Sequence, residues 1–139
     1  MAYSNTDKLV KVGNYVIPLK YIAAESYKVL YSTSDLDSYR DANGVLHRNP
    51  LAHKVGKVEF NTPRLLTNTE LQDLLTNIRN NYKGGAGDIS KTATVKFWNP
   101  EYDNYITQDM YVPDINFEIF GIFDGVVKFN AIRIAFIAY

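Results

Sequence analysis

Residues 126–139 read VVKFNAIRIAFIAY. Written as a strand, the run places Ile132, Ile134 and Phe136 on one face and Ala131, Ala135, Ile137 and Tyr139 on the other. A strand that is apolar on both faces is either central to a layered sheet or covered by a neighbouring molecule. Both readings stay open on sequence alone, and both require a β-rich protein. Just upstream, Asp124-Gly125 is a hairpin signal. Before it, INFEIFGIF (115–123) sets Ile115, Phe117, Ile119 and Gly121 against Asn116, Glu118, Phe120 and Ile122. Further back, TATVKFW (92–98) and NYITQDMYV (104–112) read as strands separated by Asn99-Pro100 and ended by Pro113.

The first half of the chain has the same character, with one exception. KLVKVGNYVIPLKYI (8–22) reads as strand, turn at Gly13-Asn14, and strand, with Pro18 confining the second to an edge or ending it. SYKVLYS (26–32) alternates Tyr27, Val29 and Tyr31 against Lys28 and Leu30, and KVGKVEFN (54–61) alternates likewise. The exception is PRLLTNTELQDLLTNIRNNY (63–82), which predicts a helix over about 68–82. Thr67 is its N-cap and Glu70 completes a capping box. Leu66 and Leu71 sit at the positions of a hydrophobic staple. Leu71, Leu74, Leu75, Ile78 and Tyr82 form one apolar face, and Lys83-Gly84-Gly85 supplies the stop. The sum is about eight strands and one helix: a single α+β domain over 1–139, mostly antiparallel, with the helix on one sheet face.

Composition narrows the function. Hydrophobic residues at 46% and charged residues at 22% are globular values, so the chain is expected to fold. Fifteen bases balance fifteen acids, which argues against nucleic-acid binding through a bulk positive field. The balance is uneven along the chain: residues 101–139 carry six acids and two bases, an asymmetry that suits self-assembly. The absence of cysteine removes disulfides, thiolate metal sites and a cysteine nucleophile. The start MAYSNTDKLV has no apolar core of signal-peptide length, and no apolar run is long enough for a membrane helix. A soluble protein without membrane contact is expected.

Between the strands at 26–32 and 54–61 lies a long polar insert containing SYRDANGVLHRNPLAHK (38–54). His47 and His53 are six apart, outside the usual zinc spacings. Asp35, Asp37 and Asp41 fail the calcium-loop register, because Tyr39 falls where an oxygen ligand is needed. KGGAGD (83–88) follows a helix, whereas a phosphate cradle precedes one. No serine or threonine has a recognisable base and oxyanion hole. No catalytic, cofactor-binding or metal residue is therefore assigned, and the chain is read as a non-enzyme needing no cofactor. Asn43-Gly44 predicts a type I′ turn, making residues 35–54 a two-stranded arm. An isolated hairpin is marginal in water, so the arm is expected to need a partner. Surface aromatics such as Trp98, Tyr102 and Tyr105 leave a second reading, a carbohydrate- or receptor-binding β-sandwich.

Several segments in order carry a family resemblance: VGNYVIP, SDLDSYRDANGVLHR, KVEFNTPRLLTNTELQDLLTNI and FNAIRIAFIAY. The chain resembles short uncharacterised proteins of the tail gene clusters of phages and prophages of Gram-positive bacteria. Arg40, Ala42, Asn43, Gly44, Leu46 and Arg48 fill that family's R-x-A-N-G-x-L-x-R segment, and Leu66, Thr67, Asn68 and Glu70 its L-T-N-x-E helix start. The resemblance implies a β-sandwich or barrel with a flanking helix and a long mid-chain arm, similar to tail-tube and distal-tail proteins. It implies a virion structural subunit, assembled in the host bacterial cytoplasm and resident in a tail tube, distal tail or baseplate; a tail-completion or assembly factor is the alternative. Partners implied are other copies, in a ring of six or three, neighbouring tail proteins, and tape-measure protein or DNA passing through a lumen. On this reading the arm residues Tyr39, Arg40, Asn43, Gly44, Leu46 and Arg48 and the terminal-strand residues Ile137 and Tyr139 form subunit interfaces. Arg40 and Arg48 are expected to meet acids in the 101–124 region of a neighbour.

Overall fold

The computed structural model describes residues 3–139. In chain order its strands are β1 (Val10–Val12), β2 (Tyr15–Val16), β3 (Lys28–Ser32), β4 (Tyr39–Arg40), β5 (Leu46–His47), β6 (Val55–Asn61) and β7 (Leu66–Thr67). The helix α1 (Asn68–Arg79) comes next, then β8 (Thr92–Asn99), β9 (Asn104–Tyr111), β10 (Ile119–Phe123), β11 (Val126–Phe129) and β12 (Arg133–Ala138). A single 3-10 turn, Leu19–Tyr21, follows Pro18. The α+β, mostly antiparallel architecture agrees with the expectation. The strand count of twelve exceeds eight because the arm, the helix entry and a break in the last strand each add short strands.

Seven strands form one antiparallel sheet in the order β2-β1-β8-β9-β12-β6-β3. The alternation in β8 and β6 places Ala93, Val95, Phe97, Val58 and Phe60 in the core, fully buried. The sheet is curled. In sheet order β6 is separated from β8 by β9 and β12, yet a Cβ on Gly56 of β6 would lie 2.8 Å from the Phe97 ring of β8. Tyr27, preceding β3, likewise donates its hydroxyl to the Trp98 carbonyl, 2.6 Å away on the far side. Gln108 of β9 closes the same seam, accepting from Gly56 N at 2.9 Å and donating to Lys54 O at 2.7 Å. The two halves of one curled sheet therefore make the sandwich, with β12 at the bend.

This arrangement answers the question posed by the last strand. β12 is central, paired with β6 along five residues and with β9 at Ile137 and Ala138. Ile134 and Phe136 face the core; on the other face Ala135 stands opposite Glu59, whose carboxylate accepts from Arg133 Nε at 2.6 Å. The run 126–139 is two strands, not one. The ribbon formed with residues 55–67 turns a corner at Thr62, which is fully buried. Its amide donates to Ile132 O at 2.8 Å and its hydroxyl accepts from Ile132 N at 3.0 Å. Beyond the corner the ribbon continues as a second sheet in the order β10-β11-β7.

Helix α1 begins as read from sequence. Glu70 N donates to the Thr67 hydroxyl, and the Glu70 carboxylate accepts from Thr67 N, each at 3.3 Å. Leu71, Leu74, Leu75 and Ile78 are buried in the common core, with Leu66 at the staple position. The helix ends at Arg79 rather than at 82. Asn81 is diverted: its side chain accepts from Asn14 N at 2.9 Å and donates to Asn77 O at 2.8 Å, tying the helix exit to the β1–β2 turn. Gly13 in that turn has φ +58°, and a Cβ there would lie 2.9 Å from Asn81 Cβ, so the glycine is required twice over.

Candidate assembly surfaces

The arm is a hairpin that stands off the body. Its legs are tied by Leu36 N to Asn49 O (2.9 Å), Leu51 N to Ser34 O (2.7 Å) and a bridge between Asp35 and Pro50. Tyr39 pairs with His47 and Arg40 with Leu46. The turn differs from the predicted type I′. Only Gly44 has positive φ (+79°), Gly44 N donates to Asp41 O (2.9 Å), and Asp41 N donates to Val45 O (3.0 Å). This is a type I turn closed by a glycine bulge. The cause is Asp41, whose Oδ1 accepts the amides of Asn43 (2.9 Å) and Val45 (3.0 Å) and so holds Asn43 out of the left-handed region. The two-residue type I′ geometry occurs instead at Asp124-Gly125, where both residues have positive φ and Phe123 pairs with Val126.

The charged groups of the arm are largely occupied within it. Arg48 donates to both Asp35 oxygens at 3.1 Å, and Arg40 donates to Gly44 O at 2.9 Å. His47 Nε2 lies 2.8 Å from Asp41 Oδ2, and its ring stacks on Tyr39 at 4.8 Å. The His47 contact, followed by the Val45 amide, holds the Asp41 carboxyl below its ordinary range. The apolar side chains are not occupied: Leu36, Tyr39, Val45, Leu46 and Leu51 are all exposed, and no residue from 33 to 53 is buried. At the root, His53 Nε2 lies 2.7 Å from Tyr139 O. Lys54 donates to the Tyr102 hydroxyl at 2.8 Å and lies over the Tyr31 and Tyr102 rings.

Of the terminal-strand pair, Ile137 is half-buried beside Tyr111 in the sheet. Tyr139 is exposed, its ring tilted against Tyr111 at 5.6 Å and its hydroxyl 2.6 Å from Thr92 Oγ1. The structure thus separates the arm tip from the terminal strand but joins the arm root to it through His53.

A surface not singled out from sequence is the β10–β11 hairpin. Ile119, Phe120, Ile122, Phe123 and Val126 are all exposed. The signal was present in IFGIF, but alternation alone reads such a run as half-buried. A cleft of about 450 Å³ lies beside its base, floored by Leu75, Ile78, Val112 and Ile134 and rimmed by Arg79 and Asp88.

Of the aromatics considered for glycan binding, Trp98 and Tyr105 are engaged by the chain's own N-terminal segment, whereas Tyr102 is exposed beside Tyr31 and Lys54. The Tyr105 hydroxyl accepts from Ser4 N (3.0 Å) and donates to Lys8 O, and Tyr3 packs edge-on to Trp98 at 6.1 Å. Among the described residues no three histidine, cysteine or carboxylate groups gather as metal ligands. Nor is any described helix long and apolar enough to cross a membrane. These surfaces present exposed apolar side chains and strands at sheet edges.

A family model described as a family of unknown function, DUF6711, matches residues 1–139. No curated protein matches. Among solved structures, a chain in the virion of a native gene transfer agent particle is similar at TM-score 0.51 and 13% identity, covering 99% of this chain and 95% of that one. A chain in the tail of an empty particle of the same kind, refined with C6 symmetry, is similar at TM-score 0.50 and 13% identity with the same coverage. At this identity the likeness establishes the fold.

Proposed function

The chain belongs to the DUF6711 family of unknown function, and we propose that it is a structural subunit of a phage-like virion tail. Copies close into a ring, and the ring is part of a tail tube, distal tail or baseplate. The carrying observation is a fold shared over nearly the whole chain with chains of a gene transfer agent virion and tail, joined to two hairpins whose apolar side chains are left largely exposed by their own subunit. A monomer would leave those side chains in water, whereas a ring covers them. Six copies is the favoured number, by analogy with the C6 symmetry of the similar tail.

In this reading the arm is an inter-subunit contact made by Tyr39, Arg40, Asn43, Gly44, Leu46 and Arg48, with Ile137 and Tyr139 lying near its root. Asn43 and Gly44 shape the turn. Tyr39 and Leu46 supply apolar surface, and Arg48 stiffens the legs through Asp35. The test is the mass of the purified protein by light scattering, with negative-stain images and mass spectrometry of purified particles. A closed ring and a copy number matching it support the proposal. A protein that stays monomeric at high concentration and is missing from particles overturns it, and low copy number points to an assembly factor.

A further inference from the structure

We propose that β10 is a docking strand whose free edge pairs with the free edge of β3 on a second copy of this chain. The proposal deepens the ring reading and rests on it. Two edge strands of the described chain are five residues long and have a neighbour on one side only, β3 and β10. The other edges, at β2, β4, β5 and β7, are two residues each. Five residues span ~17 Å, enough for a ladder that two-residue edges cannot make.

β10 is also apolar on both faces. Ile119 and Ile122 pair with Phe129 and Val127, which pack in the subunit's own core, so that face is a core layer running past the subunit's edge. Ile119 is 57% exposed and Ile122 65%. On the other face the Phe120 and Phe123 rings lie 5.9 Å apart, covered only by Arg64 and Lys128 laid against them. A flat partner would cover one face. A strand set inside a continued sheet has both faces flanked, as the apolar pattern of β10 requires.

Charge selects the partner edge. Glu118 and Asp124 bracket β10, and neither has an ion-pair partner among the described residues. Antiparallel self-pairing centred on Gly121 would set Glu118 opposite Asp124 of the other copy, acid against acid, which is unfavourable. The β3 edge offers Lys28, with Lys57 on the adjacent strand, around a Leu30 that is 57% exposed. Neither lysine is in an ion pair among the described residues, the Glu59 opposite Lys28 being held by Arg133. Pairing unlike edges is heterologous, so each copy keeps one free edge of each kind and the contact propagates until it closes.

The chain has no cysteine, which permits a direct test. Leu30→Cys is mixed under oxidising conditions with Ile119→Cys or Ile122→Cys, the two partners covering the register. The expected result is a disulfide-linked dimer in at least one mixture, none from any single variant alone, and a ladder when Leu30→Cys and the responding partner share one chain. Self-linking of Ile119→Cys or Ile122→Cys alone overturns the proposal. Rings seen in images without any cross-link overturn it while leaving the ring reading intact. Cross-linked but open chains uphold the docking and overturn the ring. Ile122→Asp, at an exposed position, should shift the oligomer toward monomer while the far-ultraviolet dichroism stays that of the folded chain; an unchanged oligomer overturns the proposal.

Discussion

At the arm tip, one carboxylate receives two backbone amides and approaches one imidazole, so Asp41 sets the turn that Asn43-Gly44 alone would have made differently. Its folded carboxyl lies below the ordinary value of 3.8, so its contribution to the turn is full above that value and is lost as pH falls through the folded one. Asp41→Ala should speed amide exchange at Asn43 and Val45 at neutral pH. Asp41→Asn, which keeps an acceptor, should do so less; equal protection in all three proteins would refute the role. Tyr27 behaves in the opposite sense. Burial raises its phenol above the usual 10, and burial carries Tyr15 to about 12. A raised folded value means stability is intact below pH 10 and declines as the pH rises from there. The melting temperature should fall steeply above pH 10, and Tyr27→Phe should soften that fall while losing the seam hydrogen bond, about 1 kcal/mol.

Helix α1 shows which elements local chemistry dictates. Its capping box and apolar face act within a few residues of one another, and the structure holds both as the spacing predicts. Thr67→Ala should therefore cost about 1 kcal/mol, read as a shift in the denaturant midpoint with unchanged slope. The helix end, by contrast, is set by Asn81 reaching Asn14, 67 residues away, and no local pattern encodes that reach. The same holds for the last strand: 126–139 reads as one continuous strand, but Thr62 bonds Ile132 across 70 residues and bends the ribbon there. Both the misplaced type I′ turn and the missed apolar hairpin come from the same limit. Turn type at Asn-Gly depends on what the preceding Asp bonds, and the exposure of IFGIF depends on what packs above it.

At the scale of the molecule, core and assembly surfaces are separable. The buried cluster draws on α1 and on both sheets, but on no residue between 30 and 54. The arm legs meet at Asp35 and Pro50, close enough for a two-glycine link to replace residues 36–49. Removing that segment deletes Leu36, Tyr39, Val45 and Leu46, all exposed, together with the Asp41 and Tyr39 contacts that serve only the arm. The body should then melt within a few degrees of the intact protein, since exposed positions away from the core contribute little to stability. Its far-ultraviolet dichroism should keep the sheet and helix signature. If the arm reaches a neighbouring ring, shortened subunits should still close into single rings but fail to stack. If it clasps the adjacent subunit of one ring, light scattering should report smaller species. A shortened protein that assembles with undiminished affinity would remove the arm from the interface altogether and leave the β10 and β3 edges to account for assembly by themselves.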